Sequence, residues 1–260
     1  MKFIHLTDTH IVADGLLYGQ DPGARLAAAV ASINAEHGDA DFVVVTGDMT
    51  HWGDAAAYAR FAAEIGNLDM PVHLLMGNHD DREAFAQAVP DAPRDTGGFV
   101  QSGFDTDAGR FLLLDTKAPE GHAGAFCALR RDWLRVELER TQAPVTLFMH
   151  HPPFPVGIAA MDHIMLHEAE AFHEVIAPHT ARIRHLFFGH VHRAIWGTWR
   201  GISYSCMRGL NHQVALDLNR VRDRTVGNFE PPAYGVVLLG DAQIIIHLHD
   251  FADRSERFDL

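Results

Sequence analysis

Pro71-Val72-His73-Leu74-Leu75-Met76-Gly77-Asn78-His79-Asp80 is a short, mostly apolar run that stops at a glycine and then presents three ligand-capable polar side chains. The run is too short for a helix and reads as a buried strand. The same grammar lies upstream, in Phe42–Thr46 followed by Gly47-Asp48, and in Phe3–Thr7 followed by Asp8-Thr9-His10. It recurs downstream, where Val145–Met149 leads to His150-His151-Pro152-Pro153 and Arg182–Phe188 leads to Gly189-His190-Val191-His192. Helical segments separate the early strands. Asp21-Pro22 caps Gly23–His37, with Leu26, Val30 and Ile33 on one face; Asp54 caps Ala55–Ile65; and Asp81–Val89 forms a third helix. Strand, polar loop and helix in repetition predict an α/β fold with a parallel-containing sheet.

The second half is richer in strands. Phe99–Gly103 and Arg110–Asp115 read as an antiparallel pair, and Leu129–Arg140 as a helix that packs Trp133 and Leu134. Further strands are expected near Ala194–Trp199, Ile202–Cys206, Gln213–Leu218, Tyr234–Leu239 and Gln243–Leu248. No repeat or low-complexity tract divides the chain, so residues 1–260 read as one domain, with 200–235 a candidate cap or oligomerisation insertion. Within it Asp217–Pro232, with Arg220, Arg222, Arg224 and Pro231-Pro232, reads as a mobile loop or subunit contact. Apolar patterning alone does not distinguish one large sheet from two packed ones.

Composition narrows the function. The 260 residues are 47% hydrophobic with a mean hydropathy of −0.06, ordinary for a soluble protein, and no apolar run approaches the roughly 18 residues of a membrane helix. The N-terminal stretch carries no secretion-signal pattern, and Cys127 and Cys206 read as reduced thiols, so a cytoplasmic location is expected. A formal net charge of −13 argues against long nucleic acid as a partner. Nineteen histidines, with no terminal His run, make metal binding the first chemistry to consider.

Each strand-end motif is weak alone, but five in order are not. Residues beyond the carboxyl ends of parallel strands converge on one sheet edge, so Asp8/His10, Asp48, Asn78/His79, His150/His151 and His190/His192 are expected to meet there. Gly47, Gly77 and Gly189 suit tight strand-to-loop turns.

The series Asp-x-His, Gly-Asp, Gly-Asn-His-Asp, His-His and Gly-His-x-His resembles the calcineurin-like metallophosphoesterase superfamily, from Asp8 to His192. The surrounding wording, including Leu17-Tyr18-Gly19 and Phe148-Met149-His150-His151-Pro152-Pro153, is similar to its bacterial glycerophosphodiesterase and class III cyclic-nucleotide phosphodiesterase branch. The resemblance implies a four-layer αββα sandwich of two mixed sheets flanked by helices, and two divalent ions of Fe, Mn, Zn or Co. It places Asp8, His10, Asp48 and His192 on the first ion and Asn78, His150 and His190 on the second, with Asp48 bridging. Ligands without thiolate suit these metals, and a neutral Asn makes the second site the more exchangeable. Asp48 and His79 take the catalytic roles, His79 protonating the departing alkoxide or binding the phosphoryl group, and Asn78, His79 and His212 contact substrate. Asp80 is expected to orient His79, or else to cap the following helix, and His151 to support the site from behind. Tyr18, His51, Met161 and His163 are candidate pocket walls, whereas His73, His122, His185, His247 and His249 read as structural.

The expected reaction is metal-dependent hydrolysis of a small phosphodiester: a glycerophosphodiester, a 3',5'-cyclic nucleotide such as cAMP, or a similar molecule. Two divalent ions against Asp8, Asp48 and a shared hydroxide leave about one formal positive charge, a match for a monoanionic diester. The alternative is a phosphomonoesterase, but the protein phosphatases of this class carry an arginine soon after the bridging Asp, and Met49-Thr50-His51-Trp52-Gly53 has none. A non-catalytic scaffold is more remote, because its ligand motifs should be broken. The branch also implies a homo-oligomer, a dimer or larger.

Overall fold

A computed structural model describes residues 1–218, 224–256 and 258–259; Arg220 and Arg222, assigned above to a loop or contact, lie outside the described residues. The chain builds β1 (Lys2–Leu6), α1 (Pro22–His37), β2 (Phe42–Thr46), α2 (Ala55–Ile65), β3 (Val72–Leu75) and α3 (Arg82–Ala88). There follow β4 (Ser102–Thr106), β5 (Gly109–Leu113), α4 (Ala128–Glu139), β6 (Val145–Phe148), α5 (Ala159–Asp162) and α6 (Ala169–Ile176). A 3-10 turn leads to β7 (Ile183–Phe188), β8 (Ile195–Trp199), β9 (Ile202–Cys206), β10 (Gln213–Val214), β11 (Gly227–Asn228), β12 (Tyr234–Leu239) and β13 (Ile244–His249).

Two mixed sheets result. The first has the order β13-β12-β1-β2-β3, with β1, β2 and β3 parallel; the second runs β4-β5-β6-β7-β9-β8, with β5, β6, β7 and β9 parallel. Alternation assigns each strand's faces. Ile4, Leu6, Val43 and Val45 turn outward to Leu26, Ile33, Tyr58 and Phe61 of α1 and α2, while Leu112 and Leu147 meet Leu134 and Phe172 of α4 and α6. Phe3, Phe42, Val44, Phe111, Phe148 and Phe187 fill the layer between the sheets. Both faces of the central strands are covered, so β2, β5 and β6 are buried at every residue. The αββα sandwich is the expected architecture.

The segment 200–235 is not one insertion. Its β9 lies inside the second sheet between β7 and β8, Tyr234 and Gly235 open β12 of the first sheet, and the short β10–β11 ladder belongs to neither. Gln213–Leu218 forms a strand at Gln213–Val214, with one further backbone bond from Ala215 N–H to Val226 O (2.7 Å), and α5 and α6 occupy a region where no element was expected.

Candidate metal centre

The loops after β1, β2, β3, β6 and β7 meet at the carboxyl edge of both sheets. The first two are zipped together, Asp8 N–H donating to Gly47 O (3.1 Å) and His10 N–H to Asp48 O (2.9 Å). Asp8, His10, Asp48, His190 and His192 all have positive φ, between 48° and 68°, in the left-handed region that few non-glycine residues adopt. Among the described residues these five are among seven such positions, so backbone strain gathers on the predicted ligand positions. Gly47 has φ of 91°, which supports the turn expected there. At Gly77 the need is for space: a Cβ would overlap the Asp48 carboxylate.

Asp8, His10, Asp48 and His192 are all buried and place one ligand-capable atom each within 4.8 Å of one another. His10 Nε2 lies 3.0 Å from His192 Nε2 and 3.5 Å from Asp48 Oδ2. Alongside, Asn78 Oδ1 sits 3.1 Å from His150 Nε2 and 2.9 Å from His190 Nδ1, and His150 Nε2 is 3.4 Å from Asp48 Oδ2. Asp48 Oδ2 thus faces both groups, while its Oδ1 accepts the His79 backbone N–H at 2.9 Å. Thr7 Oγ1 donates to Asp8 Oδ2 at 2.7 Å, fixing the other carboxylate.

The electrostatics suit cations. Burial pushes the Asp48 carboxyl up, but the imidazoles around it, His150 foremost, outweigh burial and hold it well below the usual carboxylate range. Asp8 is likewise lowered, burial being outweighed by His192. Burial lowers His150, but Asp48 overrides it and raises the group to about 9; this part of the site calls for positive charge. Burial drives His10 well down and His190 to about 3, leaving neutral rings with lone pairs to give. Carboxylates that demand charge and neutral imidazoles that can coordinate it fit two divalent ions.

Above this floor lies a cavity of about 480 Å³. His79 enters it, with Nδ1–H donating to the His51 carbonyl at 2.9 Å, which leaves Nε2 as the free ring nitrogen. Tyr18, His51, Met161 and His212 line it; His163 does not. The His212 carbonyl accepts His192 Nδ1–H at 2.9 Å. Arg208 is held by Asp250 (2.8 Å) and Glu230 (3.7 Å) and is not part of the wall.

Two expectations need correction. Asp80 neither orients His79 nor caps a helix: its buried carboxylate accepts from the backbone N–H of Gly77 (2.9 Å), Met49 (3.3 Å) and Thr50 (3.2 Å) and from Tyr58 OH (2.9 Å), while Asp81 caps α3. His122, set aside as structural, lines the cavity and accepts from Asn78 Nδ2 at 2.9 Å. No motif marks it, because it stands alone in the loop before α4. His151 is fully buried between Thr116 Oγ1 (2.7 Å) and the His122 carbonyl (3.2 Å), and does not reach the cavity. Ile164, Thr225, Asn228 and Phe229 complete a partly apolar wall that the sequence did not single out.

Known proteins share this architecture, and others are similar to the chain in sequence. A dimetal phosphatase from Danio rerio superposes with a TM-score of 0.72 over 96% of both chains at 17% identity, a likeness of fold. A Rhodopseudomonas palustris protein named "probable cyclic nucleotide phosphodiesterase" is 46% identical over 265 residues, covering 100% of this chain and 96% of its own length. The glycerophosphodiester phosphodiesterase GpdQ of Enterobacter lignolyticus is 30% identical over 221 residues, 82% of this chain and 79% of its own. The family model for calcineurin-like phosphoesterases matches residues 1–194, across every strand-end motif quoted above, and the chain belongs to that family.

Proposed function

We propose that the chain is a dinuclear metal-dependent phosphodiesterase acting on small diesters, cyclic nucleotides and glycerophosphodiesters being the classes named for its relatives. The observation that carries the preference for diesters is the cavity wall. Among the described residues its lining contains no Lys or Arg, and Lys117 next to it is engaged by the Asn78 carbonyl (3.3 Å), so no described lining residue is a fixed cation for the second charge of a monoester. Tyr18, Met161, Ile164, Val214 and Phe229 give the wall apolar surface for the organic arms of a diester.

Asp8, His10, Asp48 and His192 would hold one ion and Asp48, Asn78, His150 and His190 the other; His79 and Asp48 are the catalytic pair, with Asn78, His79 and His212 toward substrate. When bound, the two ions supply Lewis-acid charge to the phosphoryl oxygens and make water acidic enough to attack at neutral pH. The chain orients everything else. The His79 backbone N–H holds one Asp48 oxygen so that the other faces both sets of ligands. The His51 carbonyl takes the Nδ1 proton of His79, so Nε2 is the atom that can carry a proton to the departing alkoxide. Gln213, Val214, Thr225, Asn228 and Phe229 act as a cap, each forming part of the cavity wall. Fe, Mn, Zn and Co all suit the nitrogen and oxygen donors. A cytoplasmic enzyme is in keeping with the two free thiols and the lack, among the described residues, of any helix long and apolar enough to cross a membrane.

The test is kcat/KM for bis(p-nitrophenyl) phosphate against p-nitrophenyl phosphate on identically metal-loaded enzyme. The diester is expected to be the better substrate. A clear preference for the monoester overturns this reading in favour of a phosphomonoesterase.

A further inference from the structure

Residue 51 stands between the two histidines on which the proposed chemistry depends, in the loop after β2. Its ring stacks on His79 (centroids 4.8 Å apart, planes at 16°) and meets Trp52 edge-on at 4.2 Å. Two of its polar contacts, of different kinds, reach those histidines. The backbone carbonyl accepts His79 Nδ1–H, and the side-chain Nδ1 lies 3.0 Å from His10 Nδ1.

Two imidazole nitrogens at that distance need one proton between them, and the other end of His10 decides where it resides. His10 Nε2 points at His192 Nε2 and Asp48 Oδ2, so binding a cation there uses the Nε2 lone pair and leaves the proton on Nδ1. The direction of the bond follows: His10 donates and His51 accepts. His150 and His192 meet the same need with backbone carbonyls, Thr46 O at 2.7 Å and His212 O at 2.9 Å. The partner of His10 is a side chain, and a substitution can remove it.

We propose that His51 is a positioning residue for His10, accepting its Nδ1 proton and so fixing the tautomer and ring orientation with which His10 meets the first ion. The inference rests on the reading of His10 as a ligand. Substitution of residue 51 leaves its backbone carbonyl for His79, which separates the two contacts.

The experiment is calorimetric titration of chelator-stripped protein with manganese(II), in wild type, His51→Phe and His51→Asn. Phe keeps a ring in the stack but has no acceptor, whereas Asn offers an amide oxygen near the place of Nδ1. Wild type is expected to take up two ions. In His51→Phe one site weakens by about 10–100-fold while the other is unchanged, and His51→Asn recovers most of the loss. Should the phenyl ring prevent folding, His51→Ala against His51→Asn supplies the same contrast. Unchanged binding in His51→Phe, equal weakening of both sites, or an Asn variant no better than Phe overturns the proposal. A wild-type protein that binds no manganese would instead remove the ligand reading beneath it.

Discussion

Asp48 serves both sides of the site, since one oxygen takes the His79 backbone N–H and the other faces His10 and His150. Asp48→Ala is therefore expected to reduce turnover by several orders of magnitude and to strip both ions, read by steady-state kinetics and metal analysis of the same sample. Asn78→Ala removes one neutral donor, and its deficit should shrink when excess manganese or cobalt is supplied. Near-normal turnover and metal content in Asp48→Ala would contradict the site assignment. The convergence of these residues was legible because each sits where an apolar run stops. The contact that orients His79 was not, because its acceptor is the backbone carbonyl of His51, and a carbonyl leaves no trace in residue type. The same limit hid Asp80, whose partners are mostly backbone N–H groups.

Strands buried on both faces announced themselves as apolar runs, as in β2 and β12, whereas β9 was marked by the alternation Ile202-Ser203-Tyr204-Ser205-Cys206. Gln213–Leu218 misled because Val214, Leu216 and Leu218 alternate like a half-buried strand, yet Leu216 and Leu218 are 63% and 60% exposed. Short α6 has Phe172, Val175 and Ile176 at helical spacing, but eight residues give periodicity little room. Within β7, His185 bonds Ser203 Oγ (2.8 Å) and Ser205 Oγ (2.9 Å), and burial lowers it to about 3 from an ordinary 6.5. The unfolded chain then binds the extra proton between those values, so the contribution of His185 is complete above pH 6.5 and is lost as pH falls toward 3. From pH 7 to pH 5 the loss is about 2 kcal/mol. Urea unfolding of metal-free His185→Gln should show a stability drop between those pH values smaller than wild type by about that amount. An identical drop in both proteins would mean that the ring titrates normally in the fold.

The two halves of the candidate centre belong to different sheets: Asp8, His10, Asp48 and Asn78 follow strands of the first, and His150, His190 and His192 follow strands of the second. Bound ions would tie the sheets together, so chelation should lower the thermal midpoint by roughly 5–10 °C when the metal had been present at about 100 times its Kd. Differential scanning calorimetry with and without chelator measures it, and an unchanged midpoint would argue against ions shared across the sheets. At the same scale, Leu216, Leu218 and Phe229 form exposed apolar surface beside the cavity, in keeping with a subunit contact. At least a dimer is expected in sedimentation, and a dilute species of 28.8 kDa would contradict it. Two packed sheets were predictable only through the resemblance, because an apolar strand looks the same whether a helix or a second sheet covers it.

The first sheet places β12 beside β1, so residues 2–6 wait for residues 234–239 to complete their ladder. On the ribosome this ordering separates composition from competence. Once residue 192 has emerged, the nascent chain carries all seven proposed ligands, yet it still lacks β9, the His212 carbonyl that holds His192, and the strand that fixes β1. Pairings this distant in sequence close slowly. Metal acquisition at the proposed first site would therefore follow the synthesis of β12, and a polypeptide interrupted shortly after His192 would possess every proposed donor without the scaffold that brings them together.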